Sequence, residues 1–299
     1  MIIENISDLF EHKGRFFIAE KDEEINKVDR GLIINKFEKT GVIIFRNFNI
    51  KPTDVIAFTD KFTELYAADA PRRQNIDGQK NLNTVDEGFH EMPLHSEASY
   101  SPSWPELVWF YCDIPPTKGG NTTLCDGVKL WKELPHDLKD YFLAHPLCFD
   151  LEFPVIKKVP SRKPKPWLLN SVGSANASLD WNSGNLKVKQ TRFAVNESRI
   201  PEVLSFVNHL LIIFKNEPQI LKMTDSKGHK IPQEVIEKVH EISHRLKYDI
   251  IWQKKDLVMI DNKRFMHGRR AYEQGDVRKI INVQSLRANF AYGSTTRQN

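Results

Sequence analysis

Residues 106–127 read ELVWFYCDIPPTKGGNTTLCDG, and this stretch decides the fold class that the sequence predicts. Its first part, ELVWFYCDI, is rich in aromatic and β-branched side chains, which favour strands, and NTTLCDG returns to the same texture. PPTKGG between the two has the composition of a turn, and the Gly119-Gly120 pair predicts a β-hairpin. A protein built around β-sheet is therefore the first expectation.

The rest of the chain adds further strands and several helices. Strand texture recurs in GVIIFRNF (41–48), YDIIWQ (248–253), DLVMID (256–261) and RKIINVQSLR (278–287). Apolar periodicity predicts helices over 21–40, 51–66, 126–141, 200–215 and 232–247, with short β-like pieces across 150–198. Strands at both ends of the chain with helices inserted favour a β-sandwich or jelly roll wrapped by helices. Because no linker is evident, we expect one domain over residues 1–299, with a polar tail from about 291 to 299.

The composition narrows the classes of function. The chain has 299 residues, of which 40% are hydrophobic and 27% charged, as in ordinary soluble globular proteins, and no apolar run is long enough to span a membrane. The net charge is only +4, and the densest basic stretch, KKVPSRKPKPW (157–167), is broken by prolines, so we expect no nucleic-acid partner. Three irregularly spaced cysteines and an N-terminus without a secretory pattern predict free thiols and a cytoplasmic protein.

VHEISHR (239–245) contains H-E-x-x-H, the pattern by which a helix presents two zinc ligands and a general base. The helix predicted here has one apolar stripe, formed by Val235, Val239, Ile242 and Leu246. His240 and His244 fall on the side away from this stripe, and no third ligand follows in a helical context. A chance match on an exposed helix is the favoured interpretation, and a zinc metallopeptidase remains the alternative.

A second metal arrangement begins in MPLHSEASY (92–100). His95 and Glu97 are separated by one residue, and in an extended chain such residues project to the same side and could reach one ion. His267, just after the apolar strand DLVMI, could supply a third ligand from a distant part of the chain. Two histidines and one carboxylate on one face of an ion are the donor set of non-haem Fe(II) oxygenases, although a His-x-Glu pair alone is a weak signal.

The surroundings of these residues resemble the TauD/TfdA family of Fe(II)- and 2-oxoglutarate-dependent dioxygenases. The likeness is to the clavaminate-synthase-like branch, which has His-x-Glu in place of His-x-Asp. It is strongest in LHSEASY (94–100), CDIPPTKGGNTTLCDG (112–127) and DLVMIDNKRFMHGRRAYEQGDVRKI (256–280), which follow one another in the family's order and at roughly its distances. The resemblance covers about residues 41–287 and implies an α+β fold with a double-stranded β-helix (jelly-roll) core and flanking and inserted helices.

The resemblance also implies a ligand set and cofactors. His95, Glu97 and His267 would ligate Fe(II), with 2-oxoglutarate and O₂ as co-substrates. Arg278, eleven residues after His267, would grip the far carboxylate of 2-oxoglutarate, a task that suits a guanidinium group. The family uses a threonine after the Gly-Gly turn for the same co-substrate, and Thr122 holds this place.

Several other polar residues lie in or near these motifs. Thr123 is the alternative to Thr122, and Asn282 stands where many relatives carry a second arginine, on the face of an extended strand that Arg278 would share. We expect Asp261 and Asn262 to be turn residues. The loop over 70–92 could form a lid in which Arg72 or Arg73 meets a carboxylate. The arginines expected to be surface or loop charges are Arg264, Arg269 and Arg270.

The expected reaction is oxidation of an unactivated C–H bond. Hydroxylation is the simplest outcome, desaturation and cyclisation stay open, and halogenation is disfavoured because Glu97 fills a position that is small in related halogenases. The branch often modifies amino acids or amino-acid-derived natural products, so we expect a small polar substrate, neither nucleic acid nor membrane as a partner, and we leave a homo-oligomer open. A non-catalytic jelly-roll binding protein remains a further alternative.

Overall fold

A computed structural model describes residues 1–5, 14–20, 23–67, 81–85, 88–101, 103–154, 176–180, 185–212 and 221–290. Arg72 and Arg73 of the expected lid, the basic stretch 157–167 and the tail from 291 lie outside the described residues. Among the residues that are described, no helix is both long and apolar enough to cross a membrane. All three cysteines are free thiols.

The described residues form eighteen strands and five α-helices. The strands are β1 (Ile2–Asn5), β2 (Arg15–Ile18), β3 (Val42–Arg46), β4 (Thr63–Tyr66), β5 (Asn83–Thr84), β6 (Met92–His95), β7 (Leu107–Ile114), β8 (Thr122–Asp126), β9 (Leu147–Pro154), β10 (Asn176–Asp180), β11 (Asn185–Arg192), β12 (Val195–Glu197), β13 (Leu204–Phe206), β14 (Leu221–Asp225), β15 (Tyr248–Ile250), β16 (Leu257–Asp261), β17 (Phe265–Arg269) and β18 (Lys279–Ala288). The helices are α1 (Arg30–Thr40), α2 (Pro52–Thr59), α3 (Gly127–Glu133), α4 (His136–Ala144) and α5 (Gln233–Arg245), with 3₁₀ turns at Ile25–Lys27 and Asp60–Phe62.

Two sheets face each other and form the core. The larger sheet has the order β1-β2-β3-β16-β7-β18-β4, with β5 paired to β18, and only β2 and β3 are parallel within it. The smaller sheet has the order β15-β8-β17-β6 and is antiparallel. Strands from both ends of the chain therefore pair within one sheet. The α+β jelly-roll architecture predicted from the sequence is confirmed.

Alternation of side chains along the strands creates three apolar layers. On β16, Val258 and Ile260 face the smaller sheet, where they meet Phe265 of β17. Leu257 and Met259 face the other way and pack with the residues of α1 and α2. On the outer side of the smaller sheet, a third cluster joins it to α4 and α5. Each large apolar side chain that is fully buried in these layers contributes about 1.5–3 kcal/mol to stability.

The hairpin predicted for residues 106–127 is wrong, although both of its strands exist. β7 pairs with β16 and β18 in the larger sheet, whereas β8 pairs with β15 and β17 in the smaller one. The Gly-Gly turn therefore carries the chain across from one sheet to the other. Turn composition reports that the chain reverses, but it does not report which strands then become neighbours.

Some predicted helices are shorter than expected. The helix predicted over 21–40 begins only at Arg30, after Asp29 caps it by accepting a hydrogen bond from the Leu32 amide at 2.6 Å. The helix predicted over 51–66 ends at Thr59, and residues 63–66 form β4. Part of the helix predicted over 200–215 is strand β13. In contrast, α5 confirms the expected amphipathic helix, because its apolar stripe is buried and His244 is exposed.

The sequence predicted Arg264 to be a surface or loop charge, and this prediction is wrong. Its side chain is fully buried, and its guanidinium group donates to both carboxylate oxygens of Asp126, at 2.6 Å and 3.1 Å. Asp126 also caps α3 by accepting from the Val128 amide. The ion pair joins the end of β8 to the start of β17. Paired guanidinium and carboxylate groups satisfy each other, which is how charges are tolerated in a core.

Candidate active site

Two neighbouring strands of the smaller sheet bring His95 and His267 together. His95 is the last residue of β6, and His267 lies in the middle of β17, where the two are direct cross-strand partners. Their ring centroids are 4.5 Å apart. His267 follows the strand DLVMI (β16), as the sequence predicted, but it also lies within a strand of its own, and the register of β17 against β6 fixes its distance from His95.

Glu97 reaches the same point from a turn. The sequence interpretation assumed an extended chain through His95 and Glu97, but β6 ends at His95 and a turn runs from 97 to 100. Ala98 in this turn has φ +49°, a left-handed conformation that is uncommon outside glycine. The bend, rather than the pleat of a strand, directs the carboxylate of Glu97 towards the histidines. His267 Nε2 lies 3.6 Å from Glu97 Oε2.

Asn262 holds the turn that carries Glu97. Its Oδ1 accepts a hydrogen bond from the Glu97 amide at 2.8 Å, and its Nδ2 donates to the Glu97 carbonyl at 3.0 Å and the Pro105 carbonyl at 2.9 Å. Ser96 Oγ donates to the Asn262 carbonyl at 2.7 Å and accepts from Trp104 Nε1 at 2.8 Å. Asn262 is fully buried, and it lies at the turn between β16 and β17. It is a turn residue as expected, and it also ties the two ligand-bearing segments together.

The three side chains form a compact cluster of metal donors. One donor atom from each of His95, Glu97 and His267 lies within 4.8 Å of the other two. His95 Nδ1 is hydrogen-bonded to the Pro93 carbonyl at 2.9 Å, which leaves Nε2 for a cation. Burial, and then the neighbouring His267 and His209, hold the pKa of His95 well below its usual range, so that the ring is neutral, as a metal ligand must be. Two histidine nitrogens and one carboxylate fit Fe(II).

A cleft adjoins this cluster, and its lining includes Thr122, Arg269 and Arg278. Arg278 Nε donates to the Gly120 carbonyl at 2.7 Å, and its Nη2 donates to Thr122 Oγ1 at 3.2 Å. Burial, and then the nearby Arg269, lower the pKa of Arg278 to about 10, so the group stays charged at neutral pH. A Cβ on Gly120 would lie 3.2 Å from Arg278 Cδ, and φ there is +63°. A side chain at position 120 would therefore crowd Arg278, and glycine leaves room for it.

The structure separates the residues that the sequence left ambiguous. Thr122 lines the cleft and also accepts from Trp252 Nε1 at 3.1 Å, whereas Thr123 is absent from the lining. Asn282 is fully buried, donates to the Trp109 carbonyl at 3.3 Å and does not line the cleft. Its cross-strand partner on β7 is Phe110, which lines the cleft together with Arg278, so Asn282 lies on the same side of the larger sheet but outside the lining.

Arg269 is a cleft residue that the sequence interpretation missed. It is buried and lines the cleft, and its Nη2 donates to the His90 carbonyl at 3.1 Å. The expectation of a surface charge is therefore wrong for Arg269, whereas Arg270, with the opposite orientation, pairs with Asp249 at 3.0 Å. Arg269 follows His267 by two residues on one strand, so both side chains project to the same side. This spacing of two residues could have placed Arg269 in the cleft from the sequence, but only if His267 had been known to lie in a strand.

The H-E-x-x-H helix forms no comparable site. Across the described ranges, the group formed by His95, Glu97 and His267 is the one cluster of three or more donors that could hold a metal ion. His240 and His244 lie on the outer side of α5, with ring centroids 5.9 Å apart. The apolar stripe of the same helix is buried against the core. This placement agrees with the interpretation of the motif as a chance match.

Comparisons with known proteins agree with this architecture. The sequence model of the family described as "Taurine catabolism dioxygenase TauD, TfdA family" matches residues 5–284. A clavaminate synthase-like protein of Arabidopsis thaliana is 21% identical over 277 residues, which cover 83% of this chain and 82% of the relative.

Solved structures show the same fold at low sequence identity. A taurine dioxygenase from Burkholderia xenovorans has a TM-score of 0.63 at 13% identity, over 94% of this chain and 88% of that one. PvcB from Pseudomonas aeruginosa has a TM-score of 0.60 at 14% identity, over 95% of this chain and 90% of that one. PvcB is described as an Fe, alpha-ketoglutarate dependent oxygenase from an isonitrile synthetic pathway. At these identities the likeness to solved structures establishes the fold, and the family match rests on the sequence.

Proposed function

This chain belongs to the TauD/TfdA family of Fe(II)- and 2-oxoglutarate-dependent dioxygenases, and we propose that it oxidises an unactivated C–H bond of a small polar substrate. We propose His95, Glu97 and His267 as its iron ligands. One observation carries this assignment: donor atoms of these three residues, drawn from two strands and a turn, lie within 4.8 Å of one another beside a cationic cleft.

Bound together, iron, 2-oxoglutarate and O₂ supply an oxidant that removes a hydrogen atom from carbon, while 2-oxoglutarate is converted to succinate and CO₂. Arg278 and Thr122 would bind the far carboxylate of 2-oxoglutarate. The guanidinium group is held by Gly120 and Thr122, so little of its freedom is left to lose when an anion arrives. Arg269 adds a second positive charge to the lining, which suits a co-substrate with two carboxylates.

The substrate class is proposed as an amino acid or an amino-acid-derived natural product. The names of a clavaminate synthase-like relative and of an oxygenase from an isonitrile synthetic pathway support it. Hydroxylation is the expected outcome, and desaturation or cyclisation would follow from another placement of the same C–H bond. We also propose that the whole chain is one dioxygenase domain, since a single family model spans residues 5–284.

The test is substrate-stimulated succinate formation. Protein loaded anaerobically with Fe(II) and 2-oxoglutarate is exposed to O₂ with each member of a panel of free amino acids, and succinate and product mass are measured. We expect a few amino acids to raise succinate formation and to gain 16 mass units, or to lose 2 if the product is desaturated or cyclised. His267→Ala should abolish the stimulation, and His240→Ala, on the outer face of α5, should not. Stimulation that survives His267→Ala, or depends on His240, would contradict the proposal.

A further inference from the structure

Asn208 and His209 are hydrogen-bonded to the segment that carries two of the proposed iron ligands, His95 and Glu97. The Ser96 amide donates to the Asn208 carbonyl at 2.9 Å, and His209 Nδ1 is hydrogen-bonded to the Ser96 carbonyl at 3.1 Å. Ser96 stands between His95 and Glu97, so both contacts fall between two ligands. The sequence offered no reason to single out His209, because nothing in its spacing suggests a site.

His209 lies beside the donor cluster but does not belong to it. Its ring meets the ring of His95 edge-on, with centroids 5.1 Å apart, and Tyr100 packs on it at 4.6 Å. Glu97 and His267 are both close enough to influence its pKa. However, no atom of His209 falls in the group whose donors lie within 4.8 Å of one another, and His209 does not line the co-substrate cleft. It therefore approaches the cluster from a side other than that of Arg278 and Thr122.

The hydrogen bond at Nδ1 fixes what the other ring nitrogen offers. A carbonyl oxygen only accepts, so Nδ1 carries the proton, and Nε2 of the neutral ring presents a lone pair. Nε2 makes no hydrogen bond with the described residues, although only 8% of the residue is exposed. Among the described residues, it is not one of the side-chain nitrogens that are sealed from solvent without a partner, so a ligand that donates a hydrogen bond can reach it.

We propose that His209 is a substrate-contacting residue, whose Nε2 accepts a hydrogen bond from an ammonium or hydroxyl group of the substrate. The contact would set which C–H bond of the substrate faces the metal, since His209 is anchored through Ser96 to the ligand turn itself. A substrate with a hydrogen-bond donor a few atoms from the oxidised carbon fits this site. This inference rests on the proposed function and adds the donor group to the substrate class.

Two amide substitutions separate the contact at Nε2 from the structural bond at Nδ1. In His209→Asn, the side-chain amide can take the place of Nδ1 and still donate to the Ser96 carbonyl, but nothing replaces Nε2. In His209→Gln, the longer side chain places an amide near Nε2 and loses the bond to Ser96. A residue with only a structural role would tolerate asparagine and suffer from glutamine in thermal unfolding of the metal-free protein. If His209 contacts the substrate, His209→Gln should instead bind the substrate better than His209→Asn does.

The experiment follows the visible charge-transfer band of the anaerobic Fe(II)–2-oxoglutarate complex. The probes are free L-amino acids, the matching 2-hydroxy acids, and the matching acids that lack both groups. We expect the band to form in both variants. We also expect donor-bearing probes to shift the band of the wild type, to bind at least about 10-fold more weakly to His209→Asn, and to bind His209→Gln better than His209→Asn.

Equal binding to wild type and His209→Asn would overturn the inference, and so would equally tight binding of the probes without a donor. A wild-type band that no donor-bearing probe shifts would overturn it as well, while leaving the cofactor assignment intact. Failure of the wild type to form the band at all is a different result, which refutes the proposed function and the inference together.

Discussion

Replacing Asn262 with alanine tests whether the ligand turn is positioned by a buried hydrogen-bond network. Asn262 makes four side-chain hydrogen bonds, to the Glu97 amide at 2.8 Å, the Pro105 carbonyl at 2.9 Å, the Glu97 carbonyl at 3.0 Å and Ser96 Oγ at 3.2 Å. At about 1 kcal/mol net for each of them, the substitution should lower the free energy of unfolding by about 3–4 kcal/mol. For a chain of this size the melting temperature should fall by roughly 5–6 °C.

The stronger expectation concerns iron. Glu97 loses both backbone anchors in Asn262→Ala, and residues that orient a metal ligand typically contribute about 10–100-fold to metal affinity. The assay is anaerobic titration of Fe(II) with 2-oxoglutarate present, followed through the charge-transfer band, beside thermal unfolding of the metal-free protein. Asn282→Ala is the matched control, since Asn282 is equally buried and lies outside the cleft. It should lose some stability and keep its iron affinity within about twofold. Wild-type iron affinity in Asn262→Ala would refute the positioning role.

Three further changes test other parts of the site and fold. Arg278→Ala should raise the KM for 2-oxoglutarate by at least about 30-fold, because a charge-assisted contact contributes about 2 kcal/mol or more. Arg278→Lys should restore little of the lost affinity. An unchanged KM would remove Arg278 from the co-substrate site. Arg264→Met leaves the Asp126 carboxylate buried without its arginine partner. The free energy of unfolding, measured by denaturant unfolding, should fall by about 3–5 kcal/mol. A loss below about 1 kcal/mol would contradict the buried ion pair. Burial lowers the pKa of Lys263 to about 7, so above pH 7 the unfolded chain binds more protons at this amine than the folded chain does. Between about pH 7 and 8.5, below the range in which the thiols of Cys112 and Cys125 ionise in the unfolded chain, wild-type stability should therefore rise with pH. Lys263→Met should flatten that rise, and an identical slope would show that the amine is not perturbed.

The sequence was sufficient to find the groups that could bind iron, but not the way in which the fold presents them. His95, Glu97 and His267 stood out because the motifs around them follow one another in the order of a known family, although a His-x-Glu pair alone is a weak signal. The orientation of Glu97 depends on Asn262, which is 165 residues away along the chain, and no local pattern encodes such a contact. Arg269 was missed for a related reason, since its place in the cleft follows from the register of β17 against β6 and β8.

The fold shows the same limit. Strand texture identified β7, β8, β16 and β18, because near-continuous runs of apolar and β-branched residues suit a sheet with two buried faces. The Gly-Gly turn was interpreted as a hairpin because its composition describes a local reversal. Whether the chain then pairs with itself or crosses to the facing sheet is decided by contacts with β15 and β17, far along the sequence.

The charge-transfer band of the protein with Fe(II) and 2-oxoglutarate, recorded without O₂, tests the central claim most directly. Iron held by His95, Glu97 and His267 beside Arg278 should give a weak visible band in the wild type and in His240→Ala. The band should be lost in His95→Ala and His267→Ala. A wild type without the band, or a band unchanged by His95→Ala, would contradict the assignment of the metal centre.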